Sequence, residues 1–109
     1  MASTHDYIAD KRNKDILIYI NGEFFHRSDA KVSVFDSGFL LGDGVWEGIR
    51  LHKNSLIHFD QHINRLYAGA DAIAMKIQLN KNELKDAIRL TLEKIAMHSD
   101  THIRLIVSR

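Results

Sequence analysis

The period of the hydrophobic pattern changes at Asp60, and this change limits the chain to folds that combine strands with helices. Before Asp60, apolar residues alternate with polar ones or form short runs that end at turn-forming pairs. After Asp60, apolar residues recur every three or four positions in two long stretches, as along one face of a helix. This order predicts an α+β fold, in which two helices pack on one face of a mainly antiparallel sheet.

The predicted strands lie on both sides of the helical stretches. Asn21-Gly22 supplies the positive φ angles of a tight hairpin turn between the first two strands. Val32 and Val34 alternate with polar residues, which predicts that they are buried on one face of a third strand. The strands are expected over residues 16–20, 23–26, 30–35, 46–52, 55–59 and 102–109.

Both predicted helices begin at a residue that can cap them. Asp60 is a suitable N-cap for the first helix, which is expected to run to about Met75. Asn80 is the predicted N-cap of the second helix, and Glu83, three residues later, completes a capping-box pattern. The second helix is expected to run to about Met97.

Length and composition indicate a single small globular domain. A chain of 109 residues with 45% hydrophobic residues can bury a small core. A net charge of +1 offers no basic surface for nucleic acid or an anionic membrane, and no apolar run is long enough to span a bilayer. Residues 1–15 are polar without a signal-peptide pattern, so we expect an N-terminal arm, then a domain over 16–109, and a cytoplasmic location. The chain stops inside a β-prone run, which predicts a truncated chain.

The chain offers binding groups but no candidate nucleophile. No serine lies in a strand-turn-helix elbow, and no lysine stands out as a desolvated amine of the kind that forms Schiff bases. His58 and His62 lack the further ligands, at set spacing, that a zinc site requires. We therefore predict neither a metal site nor a catalytic residue within the chain.

Arg65 is a candidate anion-binding residue near the start of the first predicted helix. Its forked donors and the amides of the helix's first turn would favour the same ligand, a phosphate dianion. The alternative is a surface arginine paired with Asp60 or Asp71, and spacing alone favours this alternative.

Arg50 and Arg104 are candidate ligand-facing residues on strands. Arg50 alternates with Gly48 and Trp46, so the three should share one strand face, on which Gly48 leaves room. In the last strand, Arg104 points away from its apolar neighbours. Each arginine could line a ligand-binding wall or simply face solvent.

Four motifs in a fixed order resemble one known family. "YINGEF", "AKVSVFDSGFLLGDGVWEGIR", "IHFDQHINRLYAGADAI" and "HIRLIVSR" together resemble the N-terminal small domain of the class IV, fold-type IV pyridoxal-phosphate aminotransferases. That family includes branched-chain aminotransferases, D-amino-acid transaminases and aminodeoxychorismate lyases. The resemblance covers residues 16–109 and implies a pyridoxal 5'-phosphate cofactor, amino-acid and 2-oxo-acid substrates, and a homodimer. It also implies that the Schiff-base lysine lies beyond residue 109, in a larger C-terminal domain.

The resemblance implies roles for five residues. Arg65 occupies the position of the H-x-x-R-L arginine that binds the cofactor phosphate. Trp46 and Arg50 would line the substrate pocket, and Arg104 matches a residue that helps to accept the second carboxylate of glutamate or 2-oxoglutarate. Leu41 stands where branched-chain enzymes commonly have a tyrosine that contacts the carboxylate end of the substrate.

The motifs leave the substrate class open between members of the family. Arg50 and Arg104 favour a branched-chain L-amino acid, whereas Leu41 and "GDGVWE" favour a D-amino-acid transaminase or an aminodeoxychorismate lyase. A non-catalytic α+β binding domain is the alternative of another class, because the chain contains no visible nucleophile. We expect the acidic residues of the glycine-rich stretch to be turn and support residues. They are Asp36, Asp43 and Glu47.

Overall fold

The computed structural model describes residues 9–109, which form two compact units, 9–30 and 31–109. Residues 1–8, which belong to the predicted polar arm, lie outside the described residues. The predicted division into an arm and a domain at residue 16 stays a prediction.

The first unit is built around an antiparallel hairpin of β1 (Leu17–Ile20) and β2 (Glu23–His26). The turn residues Asn21 and Gly22 have φ angles of 51° and 90°, as the Asn-Gly pair predicts. Because these positive angles match the twist of the flanking strands, Ile20 pairs with Glu23 across a two-residue loop. The predicted first hairpin is confirmed.

The described part of the predicted arm is hydrogen-bonded to this hairpin. It contains a 3₁₀ turn over Lys11–Asn13. Asp15 Oδ1 lies 3.0 Å from Nε2 of His26, and Nη1 of Arg27 donates to the main-chain oxygen of Asn13 at 2.9 Å.

In residues 31–109, three helices and three strands form the second unit. The central strand pairs antiparallel with its two neighbours, in the order β4–β3–β5. The α+β class and the antiparallel pairing are confirmed, although the described strands form two sheets and not one. The elements are α1 (Ser37–Leu41), β3 (Gly44–His52), β4 (Ser55–Leu56), α2 (Phe59–Ala72), α3 (Lys81–Lys94) and β5 (Thr101–Ser108).

The predicted third strand over residues 30–35 is wrong. Val32 and Val34 are 63% and 62% exposed, and this segment has no strand partner among residues 9–109. Ser33 Oγ instead accepts a hydrogen bond from the Phe35 amide, a local contact that competes with strand pairing. The short helix α1, which the hydrophobic pattern did not predict, follows directly.

The helix boundaries differ from those predicted at one N-terminus and agree at the other. Helix α2 begins at Phe59 after His58, whose φ of 51° is left-handed, and Asp60 lies inside the first turn, where it pairs with Lys85. Asp60 is therefore not the N-cap. Asn80 does cap α3, and a reciprocal bond from Glu83 completes the predicted capping box. Helices α2 and α3 end a few residues earlier than predicted, at Ala72 and Lys94.

The core lies between the inner face of β3 and helices α2 and α3. Ile49, Ile63 and Leu66 are fully buried, because alternate residues of β3 face one apolar stripe of α2. In residues 9–109 no helix is long and apolar enough to cross a bilayer. The other buried apolar residues are Leu51, Phe59, Ala70, Met75, Leu84, Ile88, Leu92 and Met97.

Candidate functional site

Strand β3 separates two sets of polar side chains. Its odd-numbered residues lie on the inner face towards α2, where Glu47, Ile49 and Leu51 are buried. Its even-numbered residues lie on the opposite face, which we call the outer face. Antiparallel pairing places even-numbered residues of β5 directly beside them, so both strands contribute to this surface. The outer face includes Trp46, Gly48, Arg50, His102, Arg104 and Ile106.

Arg104 stacks on Trp46 across the outer face. Its guanidinium carbon lies 4.2 Å from the centre of the indole ring, within the range of a cation–π contact. Arg104 pairs in register with Gly48, where an added Cβ would lie 2.8 Å from Cε1 of His102. Gly48 therefore leaves the space that the His102 imidazole occupies.

Arg50 is held more loosely on the same face. Its Nη2 donates to Oδ1 of Asp100 at 3.5 Å, and both side chains are mostly exposed. An exposed pair at this distance contributes little to stability. The structure brings Trp46, Gly48 and Arg50 to one face, as the alternation of the sequence predicts. The pairing of β5 with β3 adds Arg104 to this surface, a position that the sequence left open.

Arg65 lies on the other side of β3, where it pairs with the buried carboxylate of Glu47. Glu47 is only 3% exposed. Arg65 Nε donates to Oε1 of Glu47 at 2.5 Å, and Nη2 donates to Oε2 at 2.7 Å, which makes a bidentate pair. His62 Nδ1 lies 3.3 Å from Oε2. His62 and Arg65 are three residues apart on α2, so both reach the same carboxylate.

The hydrogen bonds between Glu47 and Arg65 shift the pKa of both groups. The bond from Arg65 lowers the pKa of Glu47, burial opposes that change, and the contact with His62 supports it. In turn, the carboxylate of Glu47 raises the pKa of Arg65. Glu47 is therefore a carboxylate and Arg65 a cation throughout the neutral pH range.

Arg65 has the donors and the exposure that a phosphate group requires. Its side chain is 72% exposed. A guanidinium has five N–H donors, and Glu47 takes two of them, so three remain for an anion. The alternative partners considered from the sequence, Asp60 and Asp71, are not those of Arg65. The residues present are thus compatible with a bound phosphate ester.

Leu41 ends helix α1 at the glycine bend, where it is 79% exposed. Gly42 follows with a φ of 68°, a left-handed conformation that terminates the helix and that glycine adopts without strain. The predicted role of Leu41 at the substrate stays a prediction.

The acidic residues beside this bend support the local structure. Asp36 caps α1 by accepting from the Phe39 amide at 3.1 Å, and it accepts from Ser108 Oγ at 2.7 Å. The bond from Ser108 and the Phe39 amide lower the pKa of Asp36. Asp43 Oδ2 accepts from Nε of Arg109 at 2.7 Å.

The sequence predicts Glu47 only as a turn or support residue and does not identify its partners, Arg65 and His62. The position of Glu47 in β3, one residue from Trp46 and three from Arg50, places it on the inner face. The spacing of His62 and Arg65 on a helix was a second signal, because side chains three residues apart can contact the same carboxylate. In residues 9–109 no group of three or more His, Cys, Asp or Glu side chains could hold a metal ion.

Comparisons with known proteins place this geometry in context. Residues 44–109 match the family described as amino-transferase class IV. The putative branched-chain-amino-acid aminotransferase of Methanocaldococcus jannaschii is 46% identical over 92 residues, which are 84% of this chain and 32% of that protein. The D-alanine aminotransferase of Listeria monocytogenes (serotype 1/2a, strain 10403S) is 37% identical over 71 residues, which are 65% of this chain and 25% of that protein.

A solved structure gives the corresponding result for the fold. The chain resembles the T.th. branched-chain amino acid aminotransferase in complex with N-(5'-phosphopyridoxyl)-L-glutamate, with a TM-score of 0.74 and 29% identity. The match covers 84% of this chain and 32% of that one. The chain thus spans a third or less of the length of each of these proteins.

Proposed function

Because this chain belongs to the amino-transferase class IV family, which its residues 44–109 match, we propose that it forms part of a pyridoxal-phosphate-dependent aminotransferase. The enzyme transfers an amino group between an amino acid and a 2-oxo acid. The observation that carries the proposal is the exposed, oriented guanidinium of Arg65, which lies within the matched segment. The similarity to the putative branched-chain enzyme supports a branched-chain L-amino acid as the substrate.

The proposed cofactor is pyridoxal 5'-phosphate. Its support is the structural relative, whose complex contains a phosphopyridoxyl group. When bound, this cofactor supplies the electron sink for bond breaking at the Cα atom of the amino acid. In this chain Arg65 would hold the phosphate of the cofactor with the donors that Glu47 leaves available. We propose that the Schiff-base lysine lies outside residues 1–109.

The outer face is the proposed substrate wall. Trp46 presents an apolar ring, and Arg104 is a cation stacked on that ring. Arg50 adds a second positive charge on the same surface. An apolar surface next to two cations suits both a branched side chain and the second carboxylate of glutamate or 2-oxoglutarate. Leu41 is proposed as a further substrate-binding residue, although its apolar side chain cannot form a hydrogen bond with the substrate carboxylate.

The test is an assay of the full-length gene product that contains this chain. L-leucine and D-alanine are each supplied with 2-oxoglutarate, and aminodeoxychorismate is supplied alone. We expect L-leucine to be converted and the other two compounds to react poorly. A protein that converts none of them, and shows no absorbance of bound cofactor after incubation with pyridoxal 5'-phosphate, would support the non-catalytic binding domain instead.

The second candidate function is D-amino-acid transamination. The observations that favour it are the 37% identity to a D-alanine aminotransferase and the presence of Leu41 in place of tyrosine. Turnover of D-alanine without turnover of L-leucine would replace our first choice with this one. Conversion of aminodeoxychorismate alone would identify a lyase of the same family.

We further propose that the enzyme is a homodimer and is located in the cytoplasm. The dimer is supported by the exposed apolar side chains around α1, including Phe39 and Leu41. Cell fractionation with an antibody against the protein tests the location.

A further inference from the structure

We propose that Glu47 is a positioning residue, whose buried carboxylate fixes the Arg65 guanidinium in the orientation in which Arg65 binds the cofactor phosphate. The inference rests on the proposed function, because it concerns the same phosphate group. Glu47, the acidic residue of "WEGIR", lies on the inner face of β3, opposite to the proposed substrate wall. A direct contact with the substrate therefore does not explain its role.

The contacts of Glu47 restrain both ends of the interaction. The carboxylate belongs to the central strand and is 3% exposed, so it cannot follow a moving partner. Arg65 is mostly exposed, and a long exposed side chain would otherwise sample many rotamers. Two hydrogen bonds, from Nε and Nη2, fix the plane of the guanidinium and not only its distance. His62 steadies the carboxylate from the preceding turn of α2.

Charge alone would argue against this arrangement. A carboxylate beside Arg65 cancels much of the positive charge that a phosphate dianion would meet, so electrostatics predicts that Glu47 weakens phosphate binding. Orientation predicts the opposite, because three N–H donors are presented in one fixed direction. The sign of the effect of a neutral substitution at Glu47 therefore separates the two explanations.

The experiment measures cofactor affinity and not turnover. The apo form of the full-length gene product is titrated with pyridoxal 5'-phosphate and, separately, with pyridoxal, which lacks the phosphate. Glu47→Gln removes the negative charge and replaces one acceptor oxygen with a donor. Asp71→Asn is the matched control, because it changes the net charge equally on an exposed position of α2.

We expect Glu47→Gln to weaken the binding of pyridoxal 5'-phosphate about 10-fold or more, the scale at which partners that orient a binding group act in metal sites. Its affinity for pyridoxal should change less than about twofold, because the loss is confined to the phosphate. Asp71→Asn should leave both affinities unchanged. Glu47→Asp, which keeps the charge but shortens the side chain, should show the same selective loss and serves if the Gln variant does not fold.

Arg65→Lys provides the test that Glu47 acts through Arg65. In the Arg65→Lys background the forked donors are absent, so Glu47→Gln should cause no further loss of phosphate affinity. Fully additive losses would overturn the inference.

Three other results would also overturn it. The first is unchanged or tighter binding of pyridoxal 5'-phosphate by Glu47→Gln. The second is an equal loss for pyridoxal and its phosphate, which indicates a general structural role. The third is a wild-type protein that does not bind pyridoxal 5'-phosphate at all. That third result rejects the proposed function together with the inference, whereas the first two leave the proposed function intact.

Discussion

Glu47 connects the sheet to helix α2 through its ion pair with Arg65. Burying a carboxylate costs desolvation free energy, which the hydrogen bonds from Arg65 and His62 offset. The bond from Arg65 holds the pKa of Glu47 below its ordinary value, and this outweighs the opposing effect of burial. The folded state therefore prefers the ionised carboxylate.

This preference predicts an acid-dependent loss of stability. A carboxyl whose pKa is lower in the folded than in the unfolded state adds stability above its unfolded pKa, about 4.3 for glutamate. That stability is lost as the pH falls through the folded pKa. Glu47→Gln should therefore lower the free energy of unfolding at pH 7 by roughly 1–2 kcal/mol, since the exposed Arg65 is hydrated when its partner is lost.

The measurement is the melting temperature of the wild type and of Glu47→Gln between pH 7 and pH 3. We expect the difference between them to shrink as the pH falls below about 4.3. Asp71→Asn controls for the change in net charge. A difference that stays constant or widens in acid would show that the ionised form of Glu47 is not the stabilising one.

Side-chain direction could be predicted at this scale, but side-chain partners could not. Alternation along β3 was enough to place Trp46, Gly48 and Arg50 on one face, because the period of a strand is fixed. The partner of Arg65 depends instead on how α2 packs against β3, which spacing within the helix does not determine. Local spacing therefore favoured Asp60 or Asp71, whereas the observed partner is 18 residues away in sequence.

Two elements were predicted well from local signals, although the N-cap assigned to Asp60 from a similar signal was wrong. The turn at Asn21-Gly22 and the capping box at Asn80 and Glu83 each depend on residues within three or four positions. The failure at residues 30–35 has a different cause, because alternation cannot report whether a partner strand exists. Asp36 is the N-cap of α1 and was a local signal for this helix. The signal was not used, because the preceding residues were interpreted as a strand.

The capping box of α3 leads to a prediction about stability. Asn80→Ala removes the acceptor for the Glu83 amide and leaves a first-turn N–H without its partner. We expect the free energy of unfolding to fall by about 0.5–2 kcal/mol. Chemical denaturation monitored by circular dichroism measures this change. Gln78→Ala, an exposed change two residues earlier, is the control and should have little effect. Equal stability of both variants would mean that the cap contributes nothing.

For the molecule as a whole, the notable feature is apolar surface concentrated in one short segment of the second unit. Six of ten consecutive residues in this segment are large, apolar and more than half exposed. Surface of this kind commonly marks a contact with another chain or domain. The six residues are Val32, Val34, Phe35, Phe39, Leu40 and Leu41.

If this segment forms part of the dimer contact that we propose, a charge within it should weaken the dimer. Phe39→Asp places a carboxylate where an apolar side chain would be desolvated, so we expect the dissociation constant of the full-length protein to rise at least about 10-fold. Sedimentation equilibrium measures this constant. Leu90→Asp, at an exposed apolar position of α3, is the control and should leave the dimer intact. A monomeric wild type, or a dimer equally tight in Phe39→Asp, would exclude this segment as the dimer contact. The apolar surface around α1 would then contact something other than a second copy of the protein.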